Sequence, residues 1–319
     1  MIRVGTILYD TYEVQRLINV GKLAVLVEAR DQTANRVVAI KLLHPDLAGV
    51  HGAVKRSLRE ARALMRLQSE HVCRVLDVGV LDGMMPFIVM EYLEGLPLSE
   101  HLAQKNEQGQ SWSVGHSVDL VLQACQALSE AHSIGLVHRD IKPDNLFLVA
   151  RSADETVLKV LDFGIAKSLL AHDAAITNDG DILGTPAYMP PEQMSSSKTV
   201  DERADIWSIG IVLYELLTGR QPFVGNNLIE YFKQVTGAPM PDIERPLPDG
   251  LEAILRRCLQ KKAADRYANM AQLATALAPF AGDTERAQAA VSYARDRLGI
   301  VDNVPARAAE QTKPIEASE

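Results

Sequence analysis

The sequence predicts an α+β fold: a strand-rich lobe followed by a larger helical lobe, with a cleft between them. Two observations predict it. Up to Tyr92 the apolar residues come in short β-branched or aliphatic runs separated by turn residues. Beyond Leu93 they recur at helical spacing over longer stretches.

The elements follow in order. Tyr12–Asn19, Leu23–Arg30 and Arg36–Leu43 read as strands, and so does Phe87–Tyr92. Between the third and fourth lies a helix from Val54 to Leu67, with Ala53, Ser57, Glu60, Leu64 and Leu67 along one face. Lys55, Arg56, Arg59, Arg62 and Arg66 crowd the rest of its surface, which by itself reads as a solvated basic face. In the second lobe Ser117–Ile134, Asp205–Leu217, Leu251–Leu259 and Met270–Phe280 are periodic, and Gly219 and Pro222 punctuate the end of the second of these. Thr284–Leu298 forms a last amphipathic helix, with Ala287, Ala290, Val291, Ala294 and Leu298 on one side and Gly299 as its stop. From Asn303 the chain is polar, carries two prolines and reads as a disordered tail.

Bulk properties narrow the function. The chain has 319 residues, of which 47% are hydrophobic and 23% charged, the balance of a globular protein with a real core. A net charge of -8 argues against a nucleic-acid partner. Cys73, Cys125 and Cys258 lie far apart, which suggests neither zinc nor a disulfide framework and fits a reducing cytoplasm. The N-terminus lacks the basic and apolar segments of a signal peptide. The most apolar stretch, Ile206–Leu217, is interrupted by Ser208, Gly210 and Glu215 and falls short of the roughly 20 residues of a membrane span.

The chemistry concentrates in two strings. HRDIKPDN, from His138 to Asn145, sets a carboxylate, a lysine and an asparagine in one short loop. DFG, from Asp162 to Gly164, adds another carboxylate. Together they supply the polar groups that hold a metal-bound triphosphate beside an incoming hydroxyl. Upstream, VAIK ends at Lys41, where an apolar run would otherwise close on an unpaired charge. Glu60, on the inward face of the helix, can hold that lysine.

VAIK, the helix glutamate, HRDxKxxN, DFG, a PPE string ending at Glu192 and a downstream arginine at Arg266 come in a fixed order. In this the chain resembles the eukaryotic-like (Hanks-type) Ser/Thr protein kinases of bacteria, over roughly Tyr12 to Phe280. The resemblance implies the bilobal kinase fold, a β-rich N-lobe with one helix and an α-helical C-lobe. Residues 1–11 then form an N-terminal extension and 12–281 the kinase domain, divided into lobes at 12–92 and 93–281. Residues 282–319 hold the last helix and the tail.

The protein-kinase template assigns roles. Asp140 accepts and orients the substrate hydroxyl, Lys142 neutralises the moving γ-phosphate, and Thr185 supports both. Asn145 and Asp162 bind Mg²⁺, with Mn²⁺ as a substitute, and Lys41 grips the α- and β-phosphates of ATP as a point charge. His138 and Phe163 are packing residues. The adenine lies against Leu26, Ala39 and Phe147, with Met90 as gatekeeper and the backbones of Glu91 and Leu93 as hydrogen-bonding groups. Ordinary core packing is the alternative for each apolar member. Glu192 and Arg266 form a structural pair, and Asp205 supports the catalytic loop.

The chain departs from the pattern in the glycine-rich loop. Where the family has three glycines it offers Asn19, Gly21 and Ala24. Gly21 keeps the tip, Asn19 suits a positive φ, and Ala24 is tolerable if its backbone is extended. This erosion is the support for a competing reading, a pseudokinase that binds nucleotide and partners as a scaffold. Against it, Lys41, Glu60, Asp140, Asn145 and Asp162 are all present.

Lys142 and Thr185 match the Ser/Thr branch, so the expected activity is γ-phosphoryl transfer from ATP to protein serines and threonines, autophosphorylation in the activation segment included. A homodimer would permit that transfer in trans. Arg139, beside the base, implies a phosphate acceptor in the segment, and Thr177 is the clearest. Asp179 stands where related kinases carry a second threonine. It either mimics a phosphate toward Arg139 or Arg59, incompletely because it carries less charge, or is a solvated loop residue.

Overall fold

The computed structural model describes residues 3–21, 24–44, 53–81, 85–152, 155–163, 186–195 and 200–300. The first lobe is an antiparallel sheet of β1 (Ile7–Leu8), β2 (Tyr12–Val20), β3 (Ala24–Asp31), β4 (Arg36–Leu43), β5 (Val75–Leu81) and β6 (Met85–Glu91), in the order β1-β2-β3-β4-β6-β5. Helix α1 (Ala53–Leu64) is inserted between β4 and β5. Strand β1 adds the segment before Tyr12 to the sheet, with Leu8 opposite Tyr12.

Strand register sorts the side chains by face. Lys41 stands opposite Leu26 on β3 and Ile88 on β6. Met90 stands opposite Ala39 and Val75. Alternate residues of a strand share a face, so Leu26, Ala39, Lys41, Ile88 and Met90 line one side of the sheet. The residues between them, Val27, Val38, Ile40, Leu42, Phe87 and Val89, join Leu8, Tyr12 and Val14 in a separate buried cluster on the other side. The Tyr12 hydroxyl donates to Asp77 Oδ2 at 3.2 Å and links β2 to β5.

The second lobe begins with a three-stranded sheet, β7 (Gly95–Pro97), β8 (Leu146–Ala150) and β9 (Thr156–Val160), in that order. Its helices are α2 (Leu98–Glu107), α3 (Val114–Ser133), α4 (Pro191–Ser195), α5 (Arg203–Thr218), α6 (Leu228–Gly237), α7 (Leu251–Cys258), α8 (Met270–Leu277) and α9 (Thr284–Arg297). Their ends are chemically marked. Ser113, Asn227, Asn269 and Asp283 each accept a backbone N–H of the first turn they cap. Gly219 ends α5 with a left-handed φ of 72°.

Helix α5 is buried almost all round, as its apolar sequence requires, and packs between α3 and α7. Helix α9 buries Ala287, Ala290 and Ala294 and lies on α3 and α8. Small residues at that spacing let two helices approach closely. Among the described residues no helix is long and apolar enough to cross a membrane.

Candidate active site

Three segments meet below the inner face of the first sheet: the end of β4, the loop before β8, and the residues after β9. Lys41 Nζ lies 2.7 Å from Asp162 Oδ1. Enclosure pushes the Asp162 carboxyl upward, but the Lys41 ammonium outweighs it, helped by His138 and Lys142, and holds the group below the usual carboxylate range. The carboxylate is thus charged at neutral pH, and its side chain keeps 39% of its surface exposed. Lys41, Met90, Asp162 and Phe163 line one cavity of about 20 Å³ together with Leu64 and Cys73.

The catalytic-loop candidates are held from beneath. Asp205, wholly buried at the start of α5, accepts the backbone N–H of Arg139 (2.8 Å) and of His138 (2.9 Å), and the His132 ring at 2.8 Å. His138 Nε2 contacts Leu161 O at 2.7 Å, and its ring lies 4.7 Å from that of Phe163, tilted by 47°. The loop is therefore braced to the segment carrying Asp162. Arg139 and Asp162 have positive φ, 62° and 51°. Such strain in non-glycine residues, about 1–3 kcal/mol each, persists only where the surroundings impose it.

Asn145 is 7% exposed. Its Nδ2 donates to Asp140 O (2.7 Å) and Asp140 Oδ2 (3.2 Å). Both partners are acceptors, so the amide orientation is fixed and Oδ1 is the end left for a ligand. A carboxylate at Asp162 and an amide oxygen at Asn145 form a donor set suited to Mg²⁺, which takes few protein ligands and completes its shell with phosphate and water. Among the described residues no cluster of three His, Cys, Asp or Glu forms a denser metal site. Half-buried Lys142 joins the loop through its carbonyl, which accepts Asn145 N–H at 2.9 Å.

On the nucleotide side, Leu26, Ala39, Met90, Glu91, Leu93 and Phe147 are all half-buried. Glu91 N–H donates to Arg74 O at 2.9 Å, while its side chain pairs with Lys159 at 2.8 Å. This leaves the Glu91 carbonyl, not its N–H, as the stronger candidate toward an adenine. Glu60 is half-buried on α1 and Arg59 is exposed beside it.

Asn19 does not have the positive φ expected of it. It is paired with Leu26 beside a bulge, where β-sheet hydrogen bonding keeps it extended. Ala24 is extended too, and Gly21 N–H donates to Ala24 O at 3.0 Å. Thr177, Asp179 and Thr185, together with Gly164 and the tail from residue 301, lie outside the described residues.

Arg266 has no exposed side-chain surface and grips Glu192 with two bonds of 2.7 and 2.8 Å. It also donates to Gln260 O and Arg203 O and lies 5.0 Å over the Trp207 ring. Arg139 turns its guanidinium toward Val200 O (3.3 Å), and its Nε is buried without a partner among the described residues.

The chain matches the family model described as "Protein kinase domain" over residues 12–277. It belongs to the protein kinase family. The kinase is 40% identical over 267 residues to the serine/threonine-protein kinase Pkn1 of Myxococcus xanthus, covering 83% of this chain and 37% of that one. It is 33% identical over 272 residues to the serine/threonine-protein kinase PknB of Mycobacterium tuberculosis, covering 83% and 42%. The chain thus spans about two fifths of the length of these curated relatives. The crystal structure of the Mycobacterium tuberculosis PknI kinase domain superposes with a TM-score of 0.65 at 24% identity, over 88% of this kinase and 100% of that chain. This likeness bears out the bilobal fold.

Sequence reasoning missed the segment between α1 and β5 and the residue beneath it. Glu130 is 3% exposed on α3 and accepts the N–H groups of Gln68 (3.0 Å) and Ser69 (2.7 Å). Its only signal in the sequence is a lone acidic residue within the apolar run Ala127–Ala131.

Proposed function

We propose that this protein is an active Ser/Thr protein kinase that transfers the γ-phosphoryl group of ATP to protein hydroxyls, its own activation segment included. The observation that carries the reading is the joining of Lys41 to Asp162 at 2.7 Å, close to the Asn145–Asp140 pair at 3.2 Å. Four groups from three segments would then surround one phosphate site.

In this reading Lys41 holds the α- and β-phosphates, and Asp162 with Asn145 Oδ1 would hold Mg²⁺. Bound there, the ion would neutralise phosphate charge. Asp140 orients the incoming hydroxyl and accepts its proton, and Lys142 offsets charge on the transferred group. Met90, Ala39, Leu26 and Phe147 form the apolar seat of the adenine. Arg139, with Arg59, awaits a phosphate on Thr177 or the carboxylate of Asp179. The protein's share of catalysis is positioning and electrostatics.

The scaffold reading rested on Asn19 and Ala24. Both are extended and paired in the sheet, so neither departure from glycine strains the backbone. A cytoplasmic setting accords with three cysteines that are buried and unpaired.

The test is incubation with γ-labelled ATP and a mixed protein substrate, with and without Mg²⁺, followed by phosphoamino-acid analysis. Label on serine and threonine that needs Mg²⁺ is expected. Nucleotide binding with no transfer to any protein would favour the scaffold.

A further inference from the structure

The segment Leu67–Arg74, between α1 and β5, ties together three elements that border the proposed site. Cys73 N–H donates to Val160 O (2.9 Å) and Val160 N–H to His71 O (2.8 Å), which ties it to the strand leading into Asp162. Arg74 N–H donates to Glu91 Oε1 at 2.9 Å, which ties it to the segment beside Met90. At its start it continues α1, the carrier of Glu60.

That start is gripped from the second lobe. The Glu130 carboxylate accepts Ser69 N–H at 2.7 Å and Gln68 N–H at 3.0 and 3.1 Å. Hydrogen bonds to an ionised acceptor are about twice as strong as neutral ones. A carboxylate so buried needs a countercharge. Arg297, in the last turn of α9, supplies it, with Nη1 3.6 Å from Glu130 Oε1. The Arg297 guanidinium lies 4.9 Å over the Tyr293 ring, which restricts where it can point. Helix α9 lies beyond residue 277, where the match to the protein-kinase-domain model ends.

We propose that Glu130 and Arg297 are positioning residues for phosphoryl transfer, and that α9 is a built-in brace. It fixes the segment after α1, and through it the relative placement of Glu60, Lys41 and Asp162. The inference rests on the kinase reading of the site. Removing α9 outright would strip cover from α3, so point variants are the sharper probe.

Wild type, Arg297→Ala, Arg297→Lys and Glu130→Gln are compared in the full chain by steady-state kinetics, thermal melting and amide hydrogen exchange. Arg297→Ala should lower kcat roughly 2- to 30-fold, the usual span for residues that act through others. The KM for protein substrate should hold, and any fall in melting temperature should leave the variant folded at the assay temperature, because Arg297 is partly exposed and Glu130 keeps its two backbone N–H donors. Exchange at Gln68 and Ser69 should quicken in Arg297→Ala and more so in Glu130→Gln, and Arg297→Lys should recover part of both losses. An unchanged kcat in Arg297→Ala overturns the proposal whatever the exchange shows. So does a kcat that falls only with the folded fraction. Wild type that transfers no phosphate would sink the kinase reading instead, while amide exchange would still report on the brace.

Discussion

Asp205 Oδ1 accepts the backbone N–H of Arg139 at 2.8 Å, and this bond helps hold Arg139 at its strained φ of 62°. Burial pushes the Asp205 carboxyl upward. The bond from His132, the two neighbouring imidazoles and the His138 N–H outweigh it and hold the group below the usual carboxylate range. The loop that presents Asp140 is therefore pinned by a buried anion in the second lobe.

Replacing that anion should cost both stability and turnover. Asp205→Ala leaves His132 and two backbone N–H groups without an acceptor, and a loss of about 3–5 kcal/mol is expected from denaturant unfolding. The pH dependence has a definite sign. The folded pKa lies below the unfolded value of about 3.9, so the stabilisation is complete above that value and fades as pH falls through the folded one. The gap between wild type and Asp205→Asn should be widest near neutrality and close in acid. A gap that persists undiminished through acid would contradict the assignment.

His138 gives a second, separable pH effect. Its Nε2 contacts a carbonyl, Leu161 O, and its Nδ1 accepts Asp140 N–H at 3.2 Å, which together define a neutral ring protonated on Nε2. Burial pushes its pKa down, against the raising influence of Asp205 and the Leu161 bond. The unfolded chain then binds the proton more readily than the folded one. Stability is whole above the unfolded value of about 6.5 and declines as pH falls below it. His138→Phe should flatten this part of the stability–pH curve, measured by urea titration between neutrality and mild acid.

The Arg266–Glu192 pair predicts a large structural penalty. Arg266→Ala removes a buried cation that satisfies Glu192 and three carbonyls, and a loss of about 3–5 kcal/mol should appear in denaturant unfolding. Arg266→Lys should recover little, because an ammonium cannot reproduce the two-pronged contact. A lysine variant as stable as wild type would show that charge alone suffices.

The residues proposed to carry chemistry were legible because their types are constrained by what that chemistry would require. Lys41, Asp140, Asn145 and Asp162 stood out in a sequence where each would otherwise be a costly polar group next to apolar runs. The long helices were legible from periodicity, and α3, α5 and α9 fall within a few residues of their expected ends. Less regular elements were not. Strand β5 reads VLDVGVL, where Asp77 and Gly79 break the alternation. Helix α2 buries only Leu98 and Leu102, too sparse a pattern to call. The mistake at Asn19 came from treating a loop residue by its own preference, when sheet pairing with Leu26 decides its backbone. Glu130 was unreadable because its partners are backbone N–H groups some sixty residues away, which no spacing rule reaches.

The most direct test of the account is single-turnover transfer from γ-labelled ATP by wild type and by Asp140→Asn, with ATP affinity measured on the same preparations. The account predicts that the variant binds Mg²⁺–ATP as wild type does and transfers about 10²–10⁴-fold more slowly. Equal transfer by both proteins would contradict it.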